Sequence, residues 1–222
     1  MKTSDIDIRK FEKELWADGI KYIAGTDEAG RGPLVGPVVA GAVILPIDYK
    51  LDGLTDSKKL SEKKREEYYE ILKKDAIAIG VGVVEAKEID EINIYEASRL
   101  AMMRALEDLA VTPEYVLSDA MPLFLDVPNL AVIHGDALSI SIAAGSIIAK
   151  VTRDHLLYEL DEKYPEYEFK NHKGYPTKRH LELLEKYGPL ENYRFTYRPV
   201  HDLMIKSEKK EETRQKETVW KN

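Results

Sequence analysis

The chain has 222 residues, 44% of them hydrophobic, no cysteine and a formal net charge of -7. That length can bury a full core and fits one α/β domain with a smaller appendage, while the missing cysteine excludes disulfides and thiolate metal sites, so any metal must be held by oxygen or imidazole. The acidic balance argues against coating nucleic acid through bulk positive charge but leaves local basic patches open, and with no apolar run near about eighteen residues and no charged-then-apolar leader we expect a soluble protein of the reducing cytoplasm with no membrane contact.

Residues 22–45 read as two strands joined by a turn rich in glycine and proline. Asp27 and Glu28 close the first strand in Tyr22-Ile23-Ala24-Gly25-Thr26-Asp27-Glu28-Ala29-Gly30-Arg31-Gly32-Pro33. Adjacent acids are commonest as solvated surface charge, but the run from Pro33 to Leu45 carries no charge, and burying both acids is costly unless a cation neutralises them. Gly25 and Gly30 also have the spacing of a phosphate-cradling loop; that loop needs lysine and then serine or threonine, and Arg31-Gly32 stand there instead. Because successive strand residues point to opposite faces, the chain is expected to leave the pleat at Glu28 if both acids are to share a metal.

Ser61 can cap a helix over residues 61–74, followed by a strand over 76–84 and a helix over 95–109 with Ala97, Ala101, Ala105 and Leu109 on one face. Two short apolar runs then end in acids, 115–119 at Asp119 and 130–136 at Asp136. Where strands are parallel, such carboxyl ends meet at one sheet edge, the usual place for a ligand in open α/β folds. A long helix over 140–164 carries Ala143, Ala144, Gly145, Ser146 and Ala149, small enough to approach a sheet closely. We divide the chain into a catalytic domain (1–164), a mostly helical appendage (165–205) and a charged tail (206–222) that is frayed or disordered.

Separate blocks of this chain resemble the type 2 ribonucleases H, the ribonuclease HII family: Gly25-Thr26-Asp27-Glu28-Ala29-Gly30-Arg31-Gly32-Pro33-Leu34-Val35-Gly36-Pro37-Val38, Asp56-Ser57-Lys58-Lys59-Leu60-Ser61, Ser146-Ile147-Ile148-Ala149-Lys150-Val151-Thr152-Arg153-Asp154, and Lys173-Gly174-Tyr175-Pro176-Thr177 with His180. The resemblance implies an α/β ribonuclease H-like fold, a mixed five-stranded sheet flanked by helices with a small helical C-terminal appendage. It implies a metal-dependent endonuclease that hydrolyses the RNA strand of RNA/DNA hybrids and nicks DNA duplexes on the 5′ side of embedded ribonucleotides, leaving 5′-phosphate and 3′-hydroxyl ends. Its partners would be RNA/DNA hybrid and ribonucleotide-containing DNA duplex, and the protein is expected to be a monomer. Another metal-dependent nuclease on the same fold, such as a Holliday-junction resolvase, is the rival reading.

By the same resemblance the catalytic and metal-binding acids are Asp27, Glu28, Asp119 and Asp136, with two Mg2+ or Mn2+ ions when substrate is bound; hard oxygen ligands from separate segments suit such chemistry. Asp126 is the nearby alternative to Asp119, and Asp154 is a further acid within the long helix, where a pair with Arg153 would be structural. Gly30, Arg31 and Gly32 would surround the 2′-hydroxyl, the group that separates ribonucleotide from deoxyribonucleotide, and Tyr175 would pack on the sugar of the following deoxynucleotide. Ser57, Lys58, Lys59, Lys150, Arg153, Lys173 and Arg194 would reach phosphates, whereas Lys63, Lys64 and Arg65 read as surface charge. The chain departs from the family pattern at Ala120, where glycine is usual, at Gly145, where alanine is common, and at Tyr193, which stands in place of histidine before Arg194.

Overall fold

A computed structural model describes residues 7–55 and 57–219, so Asp56 of the second block and the end of the tail, 220–222, lie outside the described residues. In chain order the elements are α1 (Lys10–Ala17), β1 (Ile23–Ala29), β2 (Val38–Ile44), a 3-10 turn at Ser57–Lys59, α2 (Glu62–Asp75), β3 (Ala78–Val84), α3 (Ala86–Ile92), α4 (Ile94–Glu107), β4 (Tyr115–Asp119), β5 (Asn129–Val132), α5 (Gly135–Leu138), α6 (Ile140–Lys163), a second 3-10 turn at Pro165–Tyr167, α7 (Phe169–His172), α8 (Lys178–Tyr187) and α9 (Arg198–Val219). The strands form one five-stranded sheet in the order β3-β2-β1-β4-β5. β1 runs antiparallel to β2, and β2 to β3, while β4 is parallel to β1 and β5 to β4.

The uncharged sequence of β2 is buried at every position, as a strand covered on both faces requires, and β3 alternates as an edge strand. One face is covered by α4 through Ala97, Ala101, Met102 and Ala105, the other by α6 through Ala143, Ala144, Ile147 and Ile148. Glycine lets α6 lie almost on the strand backbone: a Cβ at Gly25 would stand 2.0 Å from the Ser141 carbonyl carbon, and one at Gly145 would stand 2.8 Å from the Gly41 carbonyl oxygen. At Gly145 the glycine therefore seats the helix against β1 and β2.

Two elements differ from expectation. The helix α1 was not legible in the sequence; its buried Glu12 accepts hydrogen bonds from Ser139 Oγ (2.5 Å) and Ser141 N (3.0 Å) and so ties α1 to the first turn of α6. The run to Asp136 stops being a strand at Val132, because His134 takes a left-handed backbone (φ 57°) and opens α5. The charged tail, expected to be a frayed helix or disordered, continues α9 to Val219.

The segment after Pro165 is joined to the sheet domain by its own apolar cluster, in which Tyr167, Phe169, Leu184, Tyr193 and Val200 pack on Leu34, Val35 and Leu157. Val35 and Tyr193 form an isolated antiparallel bridge, so the appendage grips the turn between β1 and β2. Among the described residues no helix is long and apolar enough to cross a membrane.

Candidate active site

The parallel strands β1 and β4 end at the same sheet edge, and the turn after β5 delivers α5 there. One carboxylate oxygen from each of Asp27, Asp119 and Asp136 lies within 4.8 Å of the others. Asp27 is 3% and Asp136 6% exposed, with Asp119 half-buried beside them, so like charges are crowded where solvent screens them poorly. Burial raises the Asp27 carboxyl well above its ordinary range, and the charges of Glu28 and Asp119 raise it further; the Glu28 N–H and Ser146 oppose this only in part. Asp119 Oδ1 accepts a hydrogen bond from Gly135 N at 2.8 Å, which fixes the start of α5 and with it Asp136. The exposed Asp126 lies outside this set.

Glu28 does not leave the pleat. The β1–β2 ladder continues through Glu28↔Ala40 and Ala29↔Val39, so strand alternation carries Glu28 away from Asp27, and its carboxylate meets Arg31 Nη1 at 3.1 Å. Glu28 still lines the same cleft; burial lifts its carboxyl, the Arg31 guanidinium pulls it down, and Asp119 adds a smaller upward push. It stands beside the aspartate trio, outside its tight oxygen set.

The cleft is lined by Asp27, Glu28, Gly30, Arg31, Gly32, Ser57, Lys58, Asp119, Ser146, Lys150 and Tyr175, which brings most of the residues singled out in the sequence to one place. Lys58 and Lys59 are exposed on their 3-10 turn, and Ser57 Oγ pairs with Ser146 Oγ at 2.7 Å inside the cleft. Arg65, read from sequence as surface charge, braces that turn by donating to the carbonyls of Ser57 (3.1 Å) and Leu60 (2.6 Å). Lys150 Nζ meets Asp154 at 2.5 Å, so the partner of Asp154 is Lys150, one helical turn away, in place of the expected Arg153. Tyr175 is 42% exposed, and a Cβ on Gly32 would stand 3.4 Å from its ring, so the tyrosine forms a wall directly beside the glycine-arginine-glycine turn.

Three expected phosphate contacts are placed otherwise. Arg194 is fully buried: its guanidinium donates to the carbonyls of Gly30 (2.6 Å), Arg31 (3.0 Å) and Gly36 (2.9 Å), and Tyr197 Oη adds a bond to Arg31 O at 2.7 Å. Arg153, 1% exposed, similarly donates to the carbonyls of Pro37, Val35 and Lys173. Both cations therefore shape the turn that faces the cleft, because a buried guanidinium is stable only where its N–H groups meet acceptors. The Lys173 ammonium lies 3.8 Å from the centre of the Tyr158 ring and donates to Tyr158 Oη at 2.6 Å, away from the cleft lining.

The departure at Tyr193 also has a structural account. Its hydroxyl lies 2.7 Å from His180 Nε2, and His180 Nδ1 lies 2.9 Å from the Tyr175 carbonyl. Ala120 takes φ 51°, a backbone that glycine adopts without strain, which explains why glycine suits the position after Asp119. Sequence reasoning missed Ser146, Arg65 and the stacked His172–His180 pair; only the spacing of Ser146 along the small-residue face of α6 could have pointed to the cleft.

Residues 24–202 match the family model described as Ribonuclease HII. The chain is 56% identical over 200 residues to a protein of Bacillus subtilis named Ribonuclease HII, covering 90% of this chain and 78% of that one. A protein of the same name from Bacillus cereus is 55% identical over 205 residues, covering 92% and 80%. Among solved structures, the ribonuclease H2 of Pyrococcus horikoshii superposes with a TM-score of 0.72 at 30% identity, covering 83% of this chain and 97% of that one.

Proposed function

The chain belongs to the ribonuclease HII family and is a metal-dependent endoribonuclease of the type 2 ribonuclease H class. From that premise we propose that it hydrolyses the RNA strand of RNA/DNA hybrids and nicks DNA duplexes on the 5′ side of embedded ribonucleotides, leaving 5′-phosphate and 3′-hydroxyl ends. The observation that carries the proposal is the aspartate trio, two of whose members, Asp27 and Asp119, line one cleft with a glycine turn and an exposed tyrosine.

The donor set fits a hard divalent cation: like-charged carboxylate oxygens from three segments, two of them buried, cost free energy that such an ion would offset. Asp27, Asp119 and Asp136, with Glu28 beside them, would hold Mg2+ or Mn2+, two ions once substrate is bound. When bound, the metal supplies Lewis-acid polarisation of the phosphate and an acidified water. The protein's own part is orientation. The main chain of Gly30, Arg31 and Gly32 would close around the 2′-hydroxyl, approach being open because no side chain intervenes at either glycine. Tyr175 would stack on the next sugar and clash with a second 2′-hydroxyl. Ser57, Lys58, Lys59 and Lys150 would fix the phosphates on either side, as local cations on an acidic protein. Arg194 and Arg153 act one step back, holding the turn. A monomer working in the cytoplasm completes the reading.

A denaturing gel of a DNA duplex carrying one ribonucleotide tests it. Magnesium-dependent cleavage on the 5′ side of the ribonucleotide is the expected result; resistance of that duplex, or preferential cutting of an all-DNA four-way junction, would overturn it.

A further inference from the structure

The segment from Lys173 to Thr177, between α7 and α8, presents Tyr175 to the cleft, and Lys173 (φ 51°) and Gly174 (φ 81°) make it a turn with no helix or strand of its own to hold it. Its stiffness comes from behind. Leu34 N donates to Gly174 O at 2.8 Å, Tyr175 N donates to His172 O at 2.9 Å, and Gly174 N donates to His172 Nδ1 at 3.1 Å. His172 and His180 stack with ring centres 4.0 Å apart and planes 12° from parallel.

The hydrogen bonds dictate one protonation state for each ring. A backbone N–H can only donate, so His172 Nδ1 accepts from Gly174 and its Nε2 carries the hydrogen that meets Tyr167 O at 2.8 Å. A carbonyl can only accept, so His180 Nδ1 carries the hydrogen that holds Tyr175 O, and His180 Nε2 must accept from the Tyr193 hydroxyl. His180 and Tyr193 are both fully buried, so water cannot stand in for either partner.

We propose that His180 and Tyr193 are positioning residues for substrate discrimination: the Tyr193 hydroxyl fixes the His180 ring, and the ring fixes the main chain of Tyr175 beside Gly32. The proposal rests on the reading of Tyr175 as the residue that senses the sugar after the ribonucleotide. Without the hydroxyl, His180 Nε2 is a buried acceptor with no donor; turning the ring to find one releases the Tyr175 carbonyl. The aspartate trio is held by β1, β4 and α5, none of which contributes to this chain of bonds, so hydrolysis itself should persist.

The test is a double-mutant cycle of Tyr193→Phe and Tyr175→Ala, assayed on a one-ribonucleotide DNA duplex and on a long RNA/DNA hybrid, with the ratio of kcat/KM on the two substrates as readout. Tyr193→Phe is expected to lower that ratio by roughly 3- to 10-fold, the size of one lost neutral hydrogen bond, with kcat on the long hybrid within about twofold of the parent. Tyr193→His, whose ring N–H can donate to the same nitrogen, should recover most of the ratio, and the double variant should match Tyr175→Ala alone. An unchanged ratio in Tyr193→Phe, or losses that add in the double variant, would overturn the inference while leaving the role of Tyr175 intact. If Tyr175→Ala itself leaves the ratio unchanged, that role falls and the inference falls with it. Should Tyr193→Phe fail to fold, His180→Asn and His180→Gln decide the matter. Asparagine can donate to Tyr175 O from the Nδ1 place and is expected to retain the ratio better than glutamine; the reverse order would overturn the inference.

Discussion

The two walls of the cleft bury ionisable groups in opposite ways. On the sheet side, Asp27, Asp119 and Asp136 crowd like charges together, and the Glu28 N–H and Ser146 offset only part of what raises the Asp27 carboxyl. Toward the appendage, Arg153 of α6 with Arg194, His172 and His180 is just as inaccessible, yet each ring or guanidinium meets carbonyls, a hydroxyl or an amide. Matched charge behaves as a frame, rigid and content without any ligand. Crowded charge of one sign favours binding of the other sign, and that is where we propose the metal is held.

The largest effect should come from the acidic side. Asp136→Asn removes a carboxylate from the trio while keeping its shape, and turnover on a long hybrid is expected to drop at least about a hundredfold with hybrid affinity nearly unchanged. Single-turnover cleavage and electrophoretic binding measure the two quantities; near-normal turnover would mean that Asp136 is not part of the centre.

The matched side should answer to acid. Burial, and then the neighbouring His172, lower His180 to about 4, below the ordinary histidine value. The unfolded chain therefore takes up a proton that the folded ring refuses. This contribution to stability is complete above about pH 6.5 and is lost as pH falls toward 4, with an upper bound of about 3 kcal/mol. Urea midpoints of the parent and of His180→Asn at pH 7.5 and 5 check it: the parent should lose more stability than the variant, and parallel losses would place the sensitivity elsewhere.

A smaller effect tests strain at the aspartate side. Ala120→Gly relieves a left-handed backbone next to Asp119 and should raise stability by roughly 0.5–1 kcal/mol in a urea titration, the glycine's extra unfolded-state freedom taking back part of the gain. A loss of stability would mean that the alanine methyl makes a contact worth more than the backbone relief.

What could be read in advance divides along the same line. Asp27, Asp119 and Asp136 were legible because each ends an apolar run, and parallel pairing of such runs brings their ends together. Ser61, capping α2 by accepting from Lys64 N, and the small-residue face of α6 were legible for similar local reasons. Arg153 and Arg194 were misread as phosphate contacts because a cationic residue in sequence carries no sign of burial; only the fold reveals the carbonyls of Gly30, Gly36 and Val35 that absorb its N–H groups. Glu28 was misread because Ala29 to Gly32 looked flexible enough to break the pleat, whereas pairing with β2 holds the strand to Ala29. Arg65 looked like one of several helix-surface cations, and nothing within α2 separates it from Lys63 or Lys64.

Asp119 serves two masters through one carboxylate: it offers an oxygen to the trio, and its Oδ1 accepts the Gly135 amide that starts α5. A change there cannot be silent for Asp136, since it would untie the short helix on which Asp136 rides. In evolutionary terms this coupling predicts epistasis: which residues position 136 is able to tolerate should depend on what stands at position 119.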